Sequence, residues 1–410
     1  MADRVFSYEQ ALDEVLKHAR ALAAPSAQER LDLLAALGRV LAAPIIAPRD
    51  HPPFDRSTRD GYAVRAEDLH AGQTLRLIGS IRAGESWSGA PLATGQAIEI
   101  MTGAPVPAGA DAVVMLEHVV VENETLRLSK PRAVHTGDHV VARASEAQAG
   151  DIVLPVGRRV GAAEIAVAAS CGAAQLGVFS QPAVAIIATG DELVELNQQP
   201  EPWQIYNSNT QALAALSQQV GAKPHRLATA HDNLSDLRSR LAETHDCDLV
   251  LFSGGVSAGK FDLVEQLLHE TGAEFFFTGA KIQPGRPIVF GRLPRGKAWT
   301  YFFGLPGNPI STQVCFHLFV APLLRALAGQ TEIAPRFAEA RLAEPVRANA
   351  DLTRFLPAEL TSAFDAATVS LVGWQGSGDL AANARANCYC VLPPRTEDFA
   401  AGETVCVLLR

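Results

Sequence analysis

The chain has 410 residues, which at roughly 150 residues per domain predicts two to four domains. The net charge of −9 has the wrong sign for coating nucleic acid or an anionic membrane. Apolar residues make up 48 %, which excludes wholesale disorder, and only 19 % are charged, which leaves surface for another subunit to cover.

No apolar run reaches the roughly 18 residues that span a bilayer, and the start, Met1 to Phe6, lacks a signal-peptide apolar stretch. The expected location is cytoplasmic, with no membrane partner. Cys171, Cys247, Cys315, Cys388, Cys390 and Cys406 form no C-x-x-C pair. They read as free thiols rather than a zinc site.

Along residues 5–43 the pattern predicts two helices. Phe6, Leu12, Val15, Leu16, Ala19 and Leu22 mark the first apolar stripe. Ser26 to Glu29 reads as a capping box for the second, with Leu31, Leu34, Leu37 and Leu41 on its buried side. Pro44 to Pro53 cannot be helical. Between 60 and 140, β-type runs at Thr74–Ile81, Ala97–Met101, Ala112–Val121 and Thr125–Leu128 are separated by Gly, Pro, Asn and Asp, as in a small all-β domain. Residues 158–178 return to an Ala-rich helical pattern, so the β domain reads as inserted into a helical one.

Residues 182–329 alternate strands and helices. Predicted strands are Ala183–Thr189, Arg226–Ala230, Asp248–Phe252, Ile288–Gly291 and Trp299–Gly304. Predicted helices are Thr210–Val220, Leu234–Glu243, Asp262–Glu270 and Ile310–Ala328, with Gly221 and Gly272 where C-terminal caps belong. The alternation argues for a three-layer α/β domain with a mostly parallel sheet. Residues 330–410 turn β-rich again.

In such a sheet ligands bind at the carboxyl ends of the strands. Three Gly-bearing loops leave strands there: Thr189-Gly190-Asp191-Glu192, Ser253 to Gly259, and Gly304 to Pro309. Backbone N–H groups at such turns form anion pockets; the bland reading is tight turns alone. The middle loop nearly matches a P-loop, but Phe261 follows Lys260 where a hydroxyl must bind Mg²⁺. Gly255 to Gly259 also matches a nucleophile elbow, without a plausible Asp and His downstream. Asp191, Glu192 and Asp262 sit beside these loops, where a carboxylate repels a phosphate unless a cation such as Mg²⁺ lies between. Asp262 also suits a helix N-terminus and Asp191 a turn cap; Glu192 has no capping role.

Several segments taken in order resemble the MoeA family, the molybdopterin molybdenumtransferases, related to the gephyrin E domain. They are Pro52 to Ala63, Met101 to Pro107, Thr189 to Leu193, Ile205 to Asn209, Ser253 to Ser257, Pro284 to Pro287, Gly304 to Pro309, Gly376 to Gly378 and Ala386 to Cys388. The resemblance spans almost the whole chain. It implies an elongated, multidomain α+β homodimer. Its four domains would be a discontinuous helical domain (1–49 and 140–180), an inserted all-β domain (50–139), a MogA/MoaB-like α/β molybdopterin-binding domain (181–329) and a C-terminal β barrel (330–410). The implied reaction is Mg²⁺-dependent insertion of molybdate into adenylylated molybdopterin with release of AMP. A MogA-like molybdopterin adenylyltransferase would supply the substrate. The implied cleft lies between the α/β domain of one subunit and the inserted β domain of the other.

By matching position, Asp60, Glu192 and Asp262 would hold Mg²⁺ or orient the attacking oxygen, and Thr102 would donate to an oxyanion. Thr189, Gly190, Asp191, Ser253, Gly254, Gly255, Ser257, Lys260, Pro284, Gly285, Arg286, Pro306, Gly307, Asn308, Pro309 and Ser377 would bind the pterin and its phosphate. The chain departs from the family pattern at several sites. Ala144 to Ala147 replaces Gly-Glu-Asp-Ile, leaving Glu146 nearby; His231 stands where an Asp belongs, beside Asp232. Gly279 and Gln283 replace two lysines near Lys281 and Arg286, Pro357 replaces an Arg near Arg354, and Arg59 replaces an apolar residue. Loss of charged hydrogen bonds weakens anion binding by about 1.5–3 kcal/mol each, so the alternative is a weak paralogue that carries the pterin without turnover.

Overall fold

A computed structural model describes residues 4–255, 263–296, 298–364 and 366–410. The chain divides into two compact units, one of Met1–Ala42, Val156–Gly161 and Gln175–Arg410, the other of Ala43–Pro155 and Ala162–Ala174.

The second unit is built on a six-stranded sheet in the order Ala112–Met115, Gly61–Val64, Gln96–Ile100, Thr74–Ile81, Thr125–Leu128, Val119–Glu122. The strands predicted at 74–81 and 125–128 form as expected. The long run at 112–121 is broken by a turn of 3₁₀ helix, Leu116–His118. Both sheet faces are covered, because side chains alternate along a strand. Tyr62 and Val64 enter one apolar cluster with Leu75 and Leu126, while Ala63 enters another with Ile81, Ile98 and Val113. The helix Ala162–Ser170 belongs to this unit.

In the first unit the helix Tyr8–Arg20 starts at a reciprocal capping box between Ser7 and Gln10. Its buried face, Ala11, Val15, Leu16 and Ala19, joins the main core. The second predicted helix does not form. Gln28–Asp32 is a strand, antiparallel to Gln175–Phe179 with Leu31 opposite Leu176. Arg39 reinforces that pairing, reaching Glu29 at 2.7 Å and the Phe179 carbonyl at 2.8 Å. Sheet pairing overrides the local capping pattern, and Leu34 and Leu37 stand exposed instead of buried.

The α/β part has the sheet order Lys223–Arg226, Ala183–Ala188, Leu249–Ser253, Ala298–Leu305, Val289–Arg295, Glu274–Phe277. The first four strands are parallel, Val289–Arg295 runs against them, and Glu274–Phe277, antiparallel to it, runs with the first four. The strand expected at 226–230 sits earlier, because Ala183 pairs with Lys223 and the run beyond Arg226 leaves the ladder, returning only at the Thr189–Ala230 bridge. The helices Ser208–Gln219 and Pro309–Leu327 pack on one face, and Leu234–Ala242 and Leu263–Glu270 on the other. The helix Pro309–Leu327 is long and apolar enough, by length and mean composition, to cross a membrane, although Ser311, Thr312, Gln313, His317 and Arg325 interrupt its apolar run. It has 19 residues and a mean hydropathy of 1.4, yet it is 83 % buried in the protein and serves as the core helix.

Strands Phe337–Leu342, Thr353–Ser362, Ala367–Leu371, Cys388–Leu392 and Thr404–Leu409 close into a barrel through pairing of Thr353–Ser362 with Cys388–Leu392. Cys388 and Cys390 both point into its core. All six cysteines are free.

The core helix carries one cost. His317 lies in a π-bulge, Phe316–Val320, and its enclosed Nε2 makes no hydrogen bond. Burial, with Arg410 and Arg325 adding to it, pushes the imidazole down to about 4. The unfolded chain therefore takes up a proton near pH 6.5 before the folded one does, and stability falls as pH drops from about 6.5 toward 4. Relative to His317→Phe, the wild type should lose about 1–2 kcal/mol more between pH 7 and pH 5. Urea midpoints at both pH values measure this, and equal losses would show that His317 is not the group responsible.

Candidate active site

Three neighbouring parallel strands, Ala183–Ala188, Leu249–Ser253 and Ala298–Leu305, bring their carboxyl ends to one sheet edge. Their turns are hydrogen-bonded one to the next. Thr189 N donates to the Ser253 carbonyl at 3.3 Å, and Gly254 N to the Leu305 carbonyl at 3.2 Å. A cleft of about 1080 Å³ opens over them.

Of the residues singled out from sequence, Thr189, Gly190, Glu192, Ser253, Gly254, Gly255, Pro306, Gly307, Asn308 and Pro309 line this cleft. Gly254 and Gly255 have φ of +89° and +66°, and a Cβ on Gly254 would lie 2.8 Å from the Thr189 carbonyl oxygen. Glycine is required there by both backbone and space. Glu192 folds back over Gly190, whose added Cβ would meet the Glu192 carboxylate. Ser377 supplies its carbonyl to Ile310 N at 2.9 Å, and its neighbours Gly378 and Leu380 reach the cleft.

Two helix N-termini face the cleft. Asn207 caps Ser208–Gln219 and Asn308 precedes Pro309 at the start of the core helix. Their dipoles favour a negative ligand, although at the core helix Pro309 has no N–H and Ile310 N is taken by the Ser377 carbonyl. The single Thr312 hydroxyl proton is shared between the Pro306 carbonyl and, at 3.1 Å, the Asn308 carbonyl, holding that turn against the helix.

Among the described lining residues none is Lys or Arg; the charged ones are Glu192 and Asp232. Thr189 Oγ1 donates to Asp232 Oδ1 at 2.6 Å. Asp191 is exposed outside the lining and accepts from His231 Nδ1 at 3.1 Å. Among the described residues no three His, Cys, Asp or Glu side chains gather as a ready metal site. Two carboxylates beside an anion pocket are nonetheless an all-oxygen donor set. That set suits Mg²⁺, which takes one or two carboxylates and completes its shell with phosphate oxygens and water.

Sequence reasoning missed Asn209, Asn207, Asp232, Pro287, Gly378 and Leu380 as cleft residues. Asn207 and Asn209 sat in the Ile205 to Asn209 segment of the resemblance, which was given no role in the site. Ser257, Lys260 and Asp262 lie outside the described residues. Pro284, Gly285 and Arg286 do not line the cleft; their neighbour Pro287 does. Gln283 is exposed on a strand opposite Arg354. Gly279 is buried, and a Cβ there would lie 3.2 Å from a Val5 methyl, a tight contact for the lysine expected by resemblance.

Asp60 and Thr102 belong to the other compact unit. There Thr102 donates to Asp60 Oδ1 twice, from its N–H at 2.7 Å and its hydroxyl at 2.8 Å. The single hydroxyl proton is therefore given to Asp60. Those two bonds, the backbone one first, hold the Asp60 carboxyl below the usual aspartate range. Glu146, in the segment that departs from the family pattern, is paired with Arg56 at 2.9 Å on the surface.

Two outcomes are expected. Gly254→Ala should cost about 1–3 kcal/mol through its backbone conformation and its close contact, read from urea midpoints; a neutral change would mean that the turn relaxes freely. Thr102→Val should raise the Asp60 carboxyl part of the way to its ordinary value, since the N–H bond remains. A carboxyl ¹³C titration would show this, and an unmoved curve would remove the hydroxyl as a cause.

Comparison with known proteins covers most of the chain. Residues 6–172 match the MoeA N-terminal region (domain I and II), 185–326 a probable molybdopterin binding domain, and 339–409 the MoeA C-terminal region (domain IV). The chain is 36 % identical to a molybdopterin molybdenumtransferase of Staphylococcus aureus over 381 residues, covering 91 % of this chain and 89 % of that one. It is 36 % identical to the Nostoc protein of the same name, covering 93 % and 88 %. A crystal structure of a molybdopterin biosynthesis MoeA protein from Pyrococcus horikoshii superposes with a TM-score of 0.79 at 27 % identity, covering 99 % of this chain and 100 % of that one.

Proposed function

The chain belongs to the MoeA family of molybdopterin molybdenumtransferases, and we propose that it inserts molybdate into adenylylated molybdopterin with release of AMP. The observation that carries this reading is the cleft at the strand ends, where three turns and two helix N-termini meet Glu192 and Asp232. Its volume, about 1080 Å³, is at the upper end for a small-molecule site and suits a pterin nucleotide.

The chain's own groups divide the work. The N–H groups of Gly255, Gly307 and Asn308, on the turns after the second and third strands, would hold phosphoryl oxygens without adding charge of their own. Glu192 and Asp232 would hold Mg²⁺ against that phosphate, with Asp262 and Asp60 contributing as the family resemblance implies. When bound, the ion polarises phosphoryl oxygens and neutralises charge developing on them. An oxygen of water or molybdate would attack the adenylyl phosphorus, breaking the phosphoanhydride bond and freeing AMP, and the two dithiolene sulfurs would displace molybdate oxygen, which leaves with their protons as water. Adenylylated molybdopterin and molybdate are the substrates.

The same resemblance supports a cytoplasmic homodimer that receives its substrate from a MogA-like adenylyltransferase. The low charged fraction and the free thiols agree with that setting. It also supports four domains, divided at residues 50, 140, 181 and 330.

The test mixes the pure protein with adenylylated molybdopterin, molybdate and Mg²⁺ and follows AMP. Release is expected. Glu192→Ala should slow it by about a hundredfold or more, the scale of losing one preorganised electrostatic group, with the melting temperature unchanged. Activity that survives this change removes Glu192 from the machinery. Tight binding by the wild type with no release would turn the reading to a pterin carrier.

A further inference from the structure

Asn209 stands in the second position of the helix Ser208–Gln219 and lines the cleft. Its side-chain amide makes two hydrogen bonds, both as donor. Nδ2 reaches the Gly307 carbonyl oxygen at 2.8 Å and Ser253 Oγ at 3.0 Å. The orientation of an asparagine amide is decided by its partners, and here one partner leaves no choice. A carbonyl oxygen only accepts, so the atom facing Gly307 must be the NH₂. Both amide protons are then assigned, one to Gly307 and one to Ser253.

This has a consequence for Ser253. Its hydroxyl has one proton and two lone pairs. With a lone pair taken by Asn209, the Ser253 proton cannot point at that amide. Among the described residues Ser253 Oγ makes no other side-chain hydrogen bond, and Ser253, 3 % exposed, lines the cleft. The same amide ties the ends of two strands to a helix start, joining three of the elements from which the cleft is built.

We propose that Asn209 is a positioning residue that sets the polarity of the cleft, fixing the Ser253 hydroxyl as a donor to a phosphoryl oxygen of the bound nucleotide. This rests on the reading of the cleft as a nucleotide site. Asn209 itself acts through Ser253. A near-isosteric Asn209→Asp reverses the arrangement: its carboxylate accepts the Ser253 proton and opposes the Gly307 carbonyl.

The experiment is a double-mutant cycle on the full chain, with AMP in the presence of Mg²⁺ as the calorimetric ligand. Ser253→Ala should weaken AMP binding about ten- to a hundredfold, the loss of one hydrogen bond to a charged group. Asn209→Ala should weaken it about tenfold with Ser253 present and less than about twofold in the Ser253→Ala background. In turnover both should raise KM for adenylylated molybdopterin and leave kcat within about twofold, since the contact is made in the ground state and kept in the transition state. Asn209→Asp should lose at least as much affinity as Ser253→Ala, and it reads the same cycle should Asn209→Ala not fold. Equal losses in both backgrounds, or a fall in kcat alone, would overturn the proposal. If the wild type neither binds AMP nor releases it from adenylylated molybdopterin, the functional reading fails first and takes this inference with it.

Discussion

The parallel alignment of three strand ends is the constraint from which the rest of the site follows. Ala188 pairs with Ser253, and Ser253 with Leu305, so the residues after each strand leave the sheet at one level. The bonds from Thr189 N and Gly254 N carry the ladder one step past the regular strands. Turns held this way cannot drift independently, which is what an anion cradle of backbone N–H groups demands. Positive φ at Gly254 and Gly255 lets the middle turn bend sharply under Thr189. The apolar ladders beneath, fully buried from Val184 to Ala188 and from Leu249 to Phe252, keep that edge rigid.

Helices complete what the strands begin. The core helix is 83 % buried along its length, so the position of its N-terminus is set by packing and not by local propensity. Its first turn is fastened twice, by Thr312 to the Pro306 and Asn308 carbonyls and by Ile310 N to Ser377 of the barrel region. The barrel is in turn continuous with the α/β part through Ile282–Gln283, which pairs with Thr353–Arg354. Site residues separated by more than a hundred positions thus share one framework.

How much of this was legible depended on the range of the interaction. The strand at 74–81 and the turns after Ala188, Ser253 and Leu305 were readable because alternation and glycine placement are local signals. The segment 28–32 was misread, since its partner, residues 175–179, lies far along the chain and its leucine spacing also fits a helix. Arg226–Ala230 was placed late because apolar character continues beyond the last ladder pair, Ile186 with Arg226. Asn209 and Asp232 escaped for a related reason. An asparagine at a helix start and an aspartate before one look like ordinary capping residues, and only the fold brings Gly307, Ser253 and Thr189 against them. Gly378 lay in the Gly376 to Gly378 segment of the resemblance but was given no role, and Leu380 carries no sequence signal of its own; both enter the cleft from the barrel region.

The electrostatic character of the cleft follows from the same placement. Among its described lining residues the donors are neutral and the only full charges are negative, at Glu192 and Asp232. A bare phosphate entering such a site gains N–H contacts and two favourable helix ends, but it is repelled by both carboxylates. A phosphate accompanied by a divalent cation keeps the first contribution and reverses the sign of the second. The arrangement therefore discriminates between free and cation-bridged anions without any cationic side chain among those residues. Gly279 is buried beside Val5 and Gln283 is exposed, and neither lines the cleft. With neutral donors among the described lining residues, affinity rests on directed hydrogen bonds, and directed bonds require fixed partners. The Thr189–Asp232 bond at 2.6 Å and the two bonds made by the Asn209 amide meet that requirement.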